Sequence, residues 1–192
     1  AKGRAYGVEL LARINNQKNL NGNISYRLVR SEFKDVISGN YIPSSWDSRH
    51  LLTVFGTYKM KKNWSIGGKW RFVGGLPYTP YDLNKSSLSK AWDAQGGPYL
   101  DYTKFNSERF ASFNQLDLRI DKAFYLKKIT AKFYIDIQNV YNFQAEQSDI
   151  IVREKDTNGN YLTVDNGTKY VLRSIKNTTG TVLPTLGIII EL

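Results

Sequence analysis

The chain has 192 residues, no cysteine and a formal net charge of +10 at pH 7. The absence of cysteine excludes disulfide bonds and thiolate metal sites, and no apolar run approaches the roughly 18 residues that a membrane-spanning helix needs. The first residues show no signal peptide, so we expect a processed or partial chain. Aromatic residues make up 14% of the chain, and interfacial girdles of a membrane protein are one explanation for this high share.

The positive charge has several possible meanings. It suits a solvated surface, the wall of a cationic lumen, nucleic acid, or anionic lipid and substrate. The sequence shows no compact Lys/Arg cluster and no helix that carries one. Nucleic-acid binding is therefore not expected.

Seven stretches alternate between apolar and polar residues, as strands with two different faces do. They cover residues 3–14, 20–33, 49–60, 64–75, 113–124, 129–140 and 185–192. In the clearest stretch, Trp64, Ile66 and Trp70 alternate with Lys69 and Arg71. A length of about ten to twelve residues suits a tilted strand that crosses a membrane. The pattern predicts strands with lipid on one face and a wet lumen on the other.

The connections between these stretches alternate in length. Short turns at 15–19, 61–63 and 125–128 alternate with long connections at 34–47, 74–112 and 141–183. An outer-membrane barrel has tight periplasmic turns and long outer loops, which produces this alternation. Within the last connection, the turn signal at 156–159 predicts a small hairpin between 150–154 and 161–164.

The predicted fold class is all-β: an antiparallel up-and-down transmembrane β-barrel segment. An odd number of about seven strands would leave two open edges in lipid, which costs several kcal/mol for each unpaired backbone group. We therefore expect residues 1–192 to be the C-terminal part of one larger barrel domain. A passive porin, a surface adhesin barrel and a soluble β-sandwich that binds carbohydrate stay open as alternatives.

Several motifs resemble TonB-dependent outer-membrane receptors, particularly those of Bacteroidetes. The motifs lie at residues 2–11, 45–50, 74–80, 116–122 and 136–142. The resemblance implies a roughly 22-stranded barrel whose N-terminal plug and earlier strands lie outside these residues. It implies a non-enzymatic transporter without a cofactor, located in the cell outer membrane. Such receptors take up ferric siderophores, vitamins or glycans with energy passed through the TonB complex.

The resemblance also implies the partners. They are outer-membrane lipid and lipopolysaccharide, the protein's own plug domain, the TonB complex through the plug, and a small-molecule or glycan ligand. The sequence does not name the ligand.

Aromatic and cationic residues of the longest early loop are the candidate ligand contacts, because aromatic rings stack on sugars or siderophore rings and cations attract anionic ligands. They are Tyr78, Tyr81, Trp92, Tyr99, Tyr102, Lys104 and Arg109. Charged residues on the polar face of the strands are expected to form a salt-bridged lumen wall rather than a pair of catalytic carboxylates. They are Glu9, Arg13, Arg27, Lys69, Arg71, Asp117, Arg119 and Asp136.

Metal and catalytic sites are not expected. His50 is the only histidine, so a multi-histidine metal site and a histidine triad are not expected, and a structural role beside Asp47 and Arg49 is favoured. The spacing of Asp156, Asn158 and Asn160 suggests a calcium loop, but position six is not Gly and position twelve is not Glu, so a hairpin turn is favoured. Aromatic girdles are expected near the short turns and near the outer ends of the strands. Their members are Tyr58, Trp64, Phe124 and Tyr125 on the short-turn side, and Phe33, Phe72 and Phe113 on the outer side.

Overall fold

One large antiparallel sheet dominates the computed structural model, which describes residues 2–36 and 38–192. Its long strands, numbered along the whole chain, are β1 Gly3–Gln17, β2 Leu20–Lys34, β4 Arg49–Lys59, β5 Trp64–Val73, β8 Phe113–Tyr125, β9 Thr130–Gln138 and β14 Leu183–Glu191. The short β3 Tyr41–Pro43 pairs with β2. The strand order is β1-β2-β4-β5-β8-β9-β14. The predicted all-β, antiparallel architecture is confirmed, and β1 and β14 are the two edges of an open sheet.

Smaller elements lie in the connections. They are β6 Pro77–Tyr78, helices α1 Leu83–Ser87 and α2 Ser89–Gln95, β7 Glu108–Arg109, β10 Ala145–Arg153, β11 Thr163–Val164, β12 Lys169–Tyr170 and β13 Leu172–Thr179. The pairs β6–β7, β10–β13 and β11–β12 each form a two-stranded sheet. No helix among the described residues is long and apolar enough to cross a membrane.

The strand register separates the sheet into two chemically different faces. Ile24, Val54, Trp70 and Leu116 lie directly opposite one another across β2, β4, β5 and β8. One residue along each strand, the row is Asn23, Phe55, Lys69 and Asp117. Because side chains alternate across a strand, the first row belongs to an apolar face and the second to a mostly polar face, as the sequence predicts.

The alternation of short and long connections is confirmed. The turn between β1 and β2 contains Lys18 and Asn19, both with positive φ angles of 48° and 68°. Residues 60–63 join β4 to β5, and residues 126–129 join β8 to β9. The three long connections leave the opposite end of the sheet, so the two ends differ in structure.

The apolar face of the sheet has no cover within the described residues. The buried hydrophobic core of the described residues consists of Trp92 and Ile151. Both belong to the long connections rather than to the large sheet. Leu10, Leu186 and Ile190 on the apolar face are 62%, 76% and 62% exposed. Soluble monomers rarely expose a contiguous apolar surface of this extent. Within the described residues, the apolar face is thus largely exposed.

Two features of the long connections go beyond or differ from the sequence predictions. The second connection contains helices, which the sequence analysis did not predict. Helix α1 begins after Asp82, whose carboxylate accepts the N–H of Lys85 at 2.9 Å and caps the first turn. The segment predicted to pair with residues 161–164 belongs to β10, which pairs with β13 instead. The predicted hairpin is therefore short: Lys155 and Tyr161 form a bridge, the N–H of Leu162 donates to the carbonyl of Glu154 at 2.9 Å, and the N–H of Asp156 donates to that of Asn160 at 2.8 Å.

Candidate functional site

A buried carboxylate joins the long connections at their base. Asp47, in the connection between β3 and β4, is fully buried. Its Oδ1 accepts a hydrogen bond from the N–H of Ser31 at 2.9 Å, and its Oδ2 accepts one from the Nη2 of Arg109. Arg109 also donates from Nη1 to the carbonyl oxygens of Asp47 and Gly75, at 2.5 and 2.8 Å. One guanidinium thus ties β7 to two other segments.

Two further arginines lie near the same carboxylate. Arg30 and Arg49 approach Asp47 Oδ2 at 3.6 and 3.8 Å. Their side chains are partly exposed, so their attraction is screened more than that of Arg109. His50 lies apart, with its Nδ1 2.8 Å from the hydroxyl oxygen of Tyr26. A structural contact for His50 agrees with the expectation, although its partner is Tyr26 rather than Asp47.

Close backbone approach explains a glycine at the entrance to the second connection. A Cβ on Gly75 would lie 1.8 Å from the carbonyl oxygen of Phe110. The buried Asn106 continues this packing, because its side-chain amide donates to the carbonyl of Pro43 at 2.8 Å and its backbone N–H donates to Thr79 Oγ1 at 3.0 Å. The connection is therefore a folded structure fixed to its neighbours.

Buried polar and aromatic groups also organise the helical part of this connection. The hydroxyl of the fully buried Ser86 accepts the N–H of Tyr99 at 2.8 Å. The Tyr99 hydroxyl donates to the carbonyl of Ala91 at 3.1 Å, and the ammonium of Lys85 lies 4.2 Å from the Tyr99 ring centroid. Trp92 on α2 is only 6% exposed. These contacts hold both helices against residues 98–100.

A second cluster joins α2 to the last long connection. The guanidinium of Arg153 lies 3.6 Å from the ring centroid of Tyr161 and 4.8 Å from that of Tyr170. It also lies 5.6 Å from a ring centroid of Trp92 and forms an ion pair of 3.2 Å with Asp93. The hydroxyl of Tyr170 donates to the same carboxylate at 3.1 Å. Cation–π contacts and the ion pair fix the two connections together.

A cavity of about 270 Å³ lies between these two connections. Its walls are formed by Tyr78, Pro80, Tyr81, Leu83 and Phe110 on one side, and by residues 146–149, Ile151 and Ser174 on the other. The Glu146 carboxylate accepts the N–H of Ala111 at 2.6 Å and links the two sides. The Asp149 carboxylate accepts the hydroxyl of Ser174 at 2.6 Å. No Lys or Arg belongs to the lining.

The cavity combines an aromatic surface with hydrogen-bond acceptors. The rings of Tyr78 and Phe110 are stacked, with centroids 4.2 Å apart. Burial raises the pKa of Tyr78 above its ordinary value, and the negative charges of Glu108, Glu146 and Asp149 raise it further. The phenol therefore stays protonated at neutral pH and can donate a hydrogen bond. Such a wall suits the ring face and hydroxyl or ammonium groups of a small ligand better than a compact anion.

The structure separates the predicted loop contacts into three groups. Tyr78 and Tyr81 line the cavity. Trp92, Tyr99 and Arg109 have partners inside the loop structure, as described above. Tyr102 is 70% exposed, and Lys104 forms an exposed ion pair with Asp101 at 3.6 Å. A ligand contact for each of the seven stays a prediction, and two of the seven share one cavity.

All eight residues predicted for the lumen wall lie on the polar face, and several form ion pairs. Glu9 pairs with Arg27 at 2.9 Å, and Arg71 with Asp117 at 3.6 Å. Arg119 pairs with Asp121 at 2.7 Å. Arg13 lies in the same row as Lys69 and Asp117, and Asp136 is the register partner of Arg119. The polar face thus carries charges of both signs, several of them in separate ion pairs.

The residues proposed for the girdles do not all share a face. Tyr58, Trp64 and Phe124 lie on the apolar face beside the short turns, whereas Tyr125 faces the polar side near Lys132. At the outer end, Phe72 lies on the apolar face. Phe33 and Phe113 face the other way and pack edge-on against Phe105 and Phe143. Placing Tyr125, Phe33 and Phe113 with the lipid-facing rings disagrees with the alternation of side chains.

The cavity includes residues that the sequence analysis did not select. Phe110, Glu146 and Asp149 come from segments whose pairing is set by contacts distant in sequence, so alternation alone does not place them. The hydrogen bond between the carboxylate on β10 and the serine on β13 exists only because these two strands pair, although about twenty residues separate them along the chain. Among residues 2–36 and 38–192, no group of three or more His, Cys, Asp or Glu side chains has the geometry of a metal site.

Comparison with known proteins gives no assignment. No known family matches the sequence, and no curated protein matches it significantly.

Proposed function

We propose that this chain forms part of the wall of a TonB-dependent transporter in an outer membrane. The observation that carries the membrane part of the proposal is the uncovered apolar face of a seven-stranded up-and-down sheet. Membrane β-barrels have an apolar outer band, a polar interior, short turns at one end and long loops at the other. Each of these features has a counterpart in this chain.

The free sheet edges support a larger barrel. Strands β1 and β14 each have a long-strand partner on one side only. In lipid, the unpaired N–H and C=O groups of their other sides would cost several kcal/mol each. We infer that further strands pair with both edges and close a barrel of roughly 22 strands.

The TonB-dependent transporter class is supported by the motifs at residues 45–50, 74–80 and 136–142. In the structure these motifs lie at the outer end of the sheet, where they contain Asp47, Gly75 and the buried Asn139. Asn139 donates to the carbonyls of Phe143 and Thr181 at 3.0 and 3.2 Å. The motifs therefore coincide with residues that fold the long connections into the surface carrying the cavity.

Membrane integration is tested by fractionation of cells that express the intact protein. We expect it in the membrane pellet after alkaline carbonate treatment and in solution only after detergent is added. Recovery in the soluble fraction would contradict the proposal.

Conductance in planar bilayers then separates transporter from porin. The intact, plugged transporter should give no steady current in potassium chloride, and a variant without its plug should conduct. Steady open channels from the intact protein would favour a porin.

The ligand site is tested in the intact protein with a panel of neutral oligosaccharides, cationic amino sugars and anionic iron chelates. The acceptor-rich wall predicts that binders come from the first two classes. Tyr78→Ala should weaken their binding about ten-fold, because it removes the stacking surface and one hydrogen-bond donor. Tyr102→Ala, an exposed aromatic residue outside the cavity, is the matched control. Equal losses in both variants, or binding of anionic chelates alone, would exclude this cavity as the site.

A further inference from the structure

Seven lysines gather at the end of the sheet that carries the short turns. They are Lys18, Lys59, Lys61, Lys62, Lys122, Lys127 and Lys128, and we call them the lysine rim. They come from segments 15–21, 58–64 and 122–129, which contain no Asp or Glu. The sequence shows no contiguous basic cluster, but the fold brings three separate turns to one end. The N–H of Lys59 donates to the Asn19 carbonyl at 2.9 Å, and Lys122 Nζ donates to the Lys62 carbonyl at 2.5 Å.

The long connections at the opposite end of the sheet have no such excess of positive charge. The long connection at 74–112 contains four acidic and four basic residues, and that at 139–182 contains five of each. The connection at 35–48 contains two acidic residues and no basic one. The short-turn segments thus carry seven positive charges without compensation, out of a net charge of +10 for the chain. The short-turn segments and the long connections therefore differ in charge as well as in length.

The charges of the lysine rim are not neutralised within the described part of the chain. None of the seven lysines forms an ion pair there, whereas Lys104 and Lys169 on the long connections pair with Asp101 and Asp165. The carboxylates nearest to the lysine rim have partners of their own. Asp121 pairs with Arg119, and Glu191 pairs with Lys132, both at 2.7 Å. The rim is therefore available to an anion from outside.

Lys122 marks the level at which the apolar face ends. Its position in β8 lies on the apolar face, and its ammonium lies 5.2 Å from a ring centroid of Trp64 and 5.4 Å from that of Phe124. From there it reaches the carbonyl of Lys62 in the turn. A lysine that covers apolar surface with its stem and extends its charge to a polar boundary is typical of a membrane interface. Aromatic rings beside it are also typical of that level.

We propose that the lysine rim binds the phosphate groups of anionic phospholipids in the leaflet around the short-turn end. The inference rests on the proposed membrane-spanning function and adds a lipid class to it. A partner that contacts both the rim and the adjoining apolar band must carry net negative charge and acyl chains in one molecule. Phosphatidylglycerol has both, because no headgroup cation neutralises its phosphate, as choline does in phosphatidylcholine, and its chains cover the strands below.

The expected size of the effect follows from the charge. Each lysine near an anionic bilayer surface contributes on the order of a five-fold change in association at physiological salt. Salt weakens the effect, since the Debye length shrinks from about 8 Å at 0.15 M to about 3 Å at 1 M. A rim with four lysines removed should therefore lose at least ten-fold in its preference for anionic lipid.

The experiment uses the intact protein, reconstituted from mixed micelles into bilayers of phosphatidylcholine with and without phosphatidylglycerol. Alkaline extraction first measures integration. Native mass spectrometry then measures how strongly retained phosphatidylglycerol is enriched over phosphatidylcholine. The rim variant carries Lys61→Gln, Lys62→Gln, Lys127→Gln and Lys128→Gln. The matched control removes the same charge from the long connections, with Lys90→Gln, Lys104→Gln, Lys155→Gln and Lys176→Gln.

We expect the unaltered protein and the control to retain phosphatidylglycerol preferentially, the rim variant to lose at least ten-fold of that preference, and added salt to reduce the difference. Equal preference in the rim variant and the unaltered protein would overturn the lipid inference, as would an equal loss in the control. If both proteins integrate and neither shows a preference, the lipid inference fails while the membrane proposal stands. If the unaltered protein does not integrate into either bilayer, both fail.

Discussion

At the scale of single residues, the end of the sheet that carries the long connections depends on Asp47. A fully buried carboxylate is tolerated only when charge and hydrogen bonds compensate its desolvation. Here Arg109 supplies most of that compensation and also binds two backbone carbonyls. The arginine expected from sequence to attract a ligand is therefore a structural partner, and it fixes the segments from which the cavity is built.

Replacement of Arg109 tests this role. Arg109→Met should destabilise the second long connection by about 3 kcal/mol, because it leaves Asp47 buried without its main partner. The cost should be at the low end of the range for broken buried pairs, since Arg30 and Arg49 remain within 4 Å. Hydrogen exchange of peptides from residues 74–112 in the intact protein measures the opening free energy. Lys104→Met breaks an exposed ion pair and should cost less than about 1 kcal/mol. Equal exchange in the two variants would contradict the role of Arg109.

A pH titration tests the turn at 156–160. Asp156 accepts the N–H groups of Asn160 and Asn158, both at 2.8 Å, and these bonds lower its pKa below the ordinary value of 3.8. A carboxylate with a lowered pKa stabilises the folded turn fully above its ordinary pKa, and the contribution is lost as the pH falls through the lowered value. The amide chemical shifts of Asn158 and Asn160 should therefore titrate with a midpoint below pH 3.8. Asp156→Asn should abolish the change, and a midpoint above 3.8 would contradict the assignment.

At the scale of elements, features that depend on local sequence could be predicted, and features that depend on contacts distant in sequence could not. The seven long strands could be predicted because alternation over ten residues is a local property. The partner of β10 could not, because the turn signal at 156–159 indicates a hairpin without showing how far its strands continue. Strand β10 does not pair with the residues directly after that turn. It pairs with β13, which begins about twenty residues after β10 ends. The cavity shares this dependence, since Glu146 meets Ala111 only when two separate connections fold together.

Arg153 is one of the residues through which those connections meet, and its geometry gives a test. Arg153→Lys keeps the charge but removes the planar group that stacks on Tyr161 and Tyr170. We expect a loss of about 1–2 kcal/mol in the local stability of residues 155–170, measured by hydrogen exchange. Arg173→Lys is the matched control, because the described chain shows no ion pair or ring contact for Arg173. An unchanged exchange rate in Arg153→Lys would mean that the ion pair with Asp93 alone holds the cluster.

At the scale of the whole molecule, the chain divides its chemistry along two axes. Across the sheet, an uncovered apolar face opposes a face of paired charges. Along the strands, an end with seven unpaired lysines opposes an end of folded, charge-balanced connections. A soluble sandwich requires the first axis but not the second, and it requires a second sheet over the apolar face. The described residues contain no second large sheet. A bilayer would match both differences, because it is an apolar layer bounded by charged headgroups.

A pair of arginine substitutions in β8 separates these environments. Leu118 lies on the apolar face near the middle of the strand, and Gln115 lies on the polar face. In a bilayer, Leu118→Arg should cost about 2–4 kcal/mol, because arginine at the lipid midplane must leave water. Gln115→Arg should stay within about 0.5 kcal/mol, since an arginine on the polar face keeps its contact with water. Guanidinium titration of the intact protein in bilayers gives both values. In a soluble sheet with this face open to water, Leu118→Arg would also stay within about 0.5 kcal/mol. The difference between the two variants therefore measures the environment of the face directly, independently of any ligand or energy source.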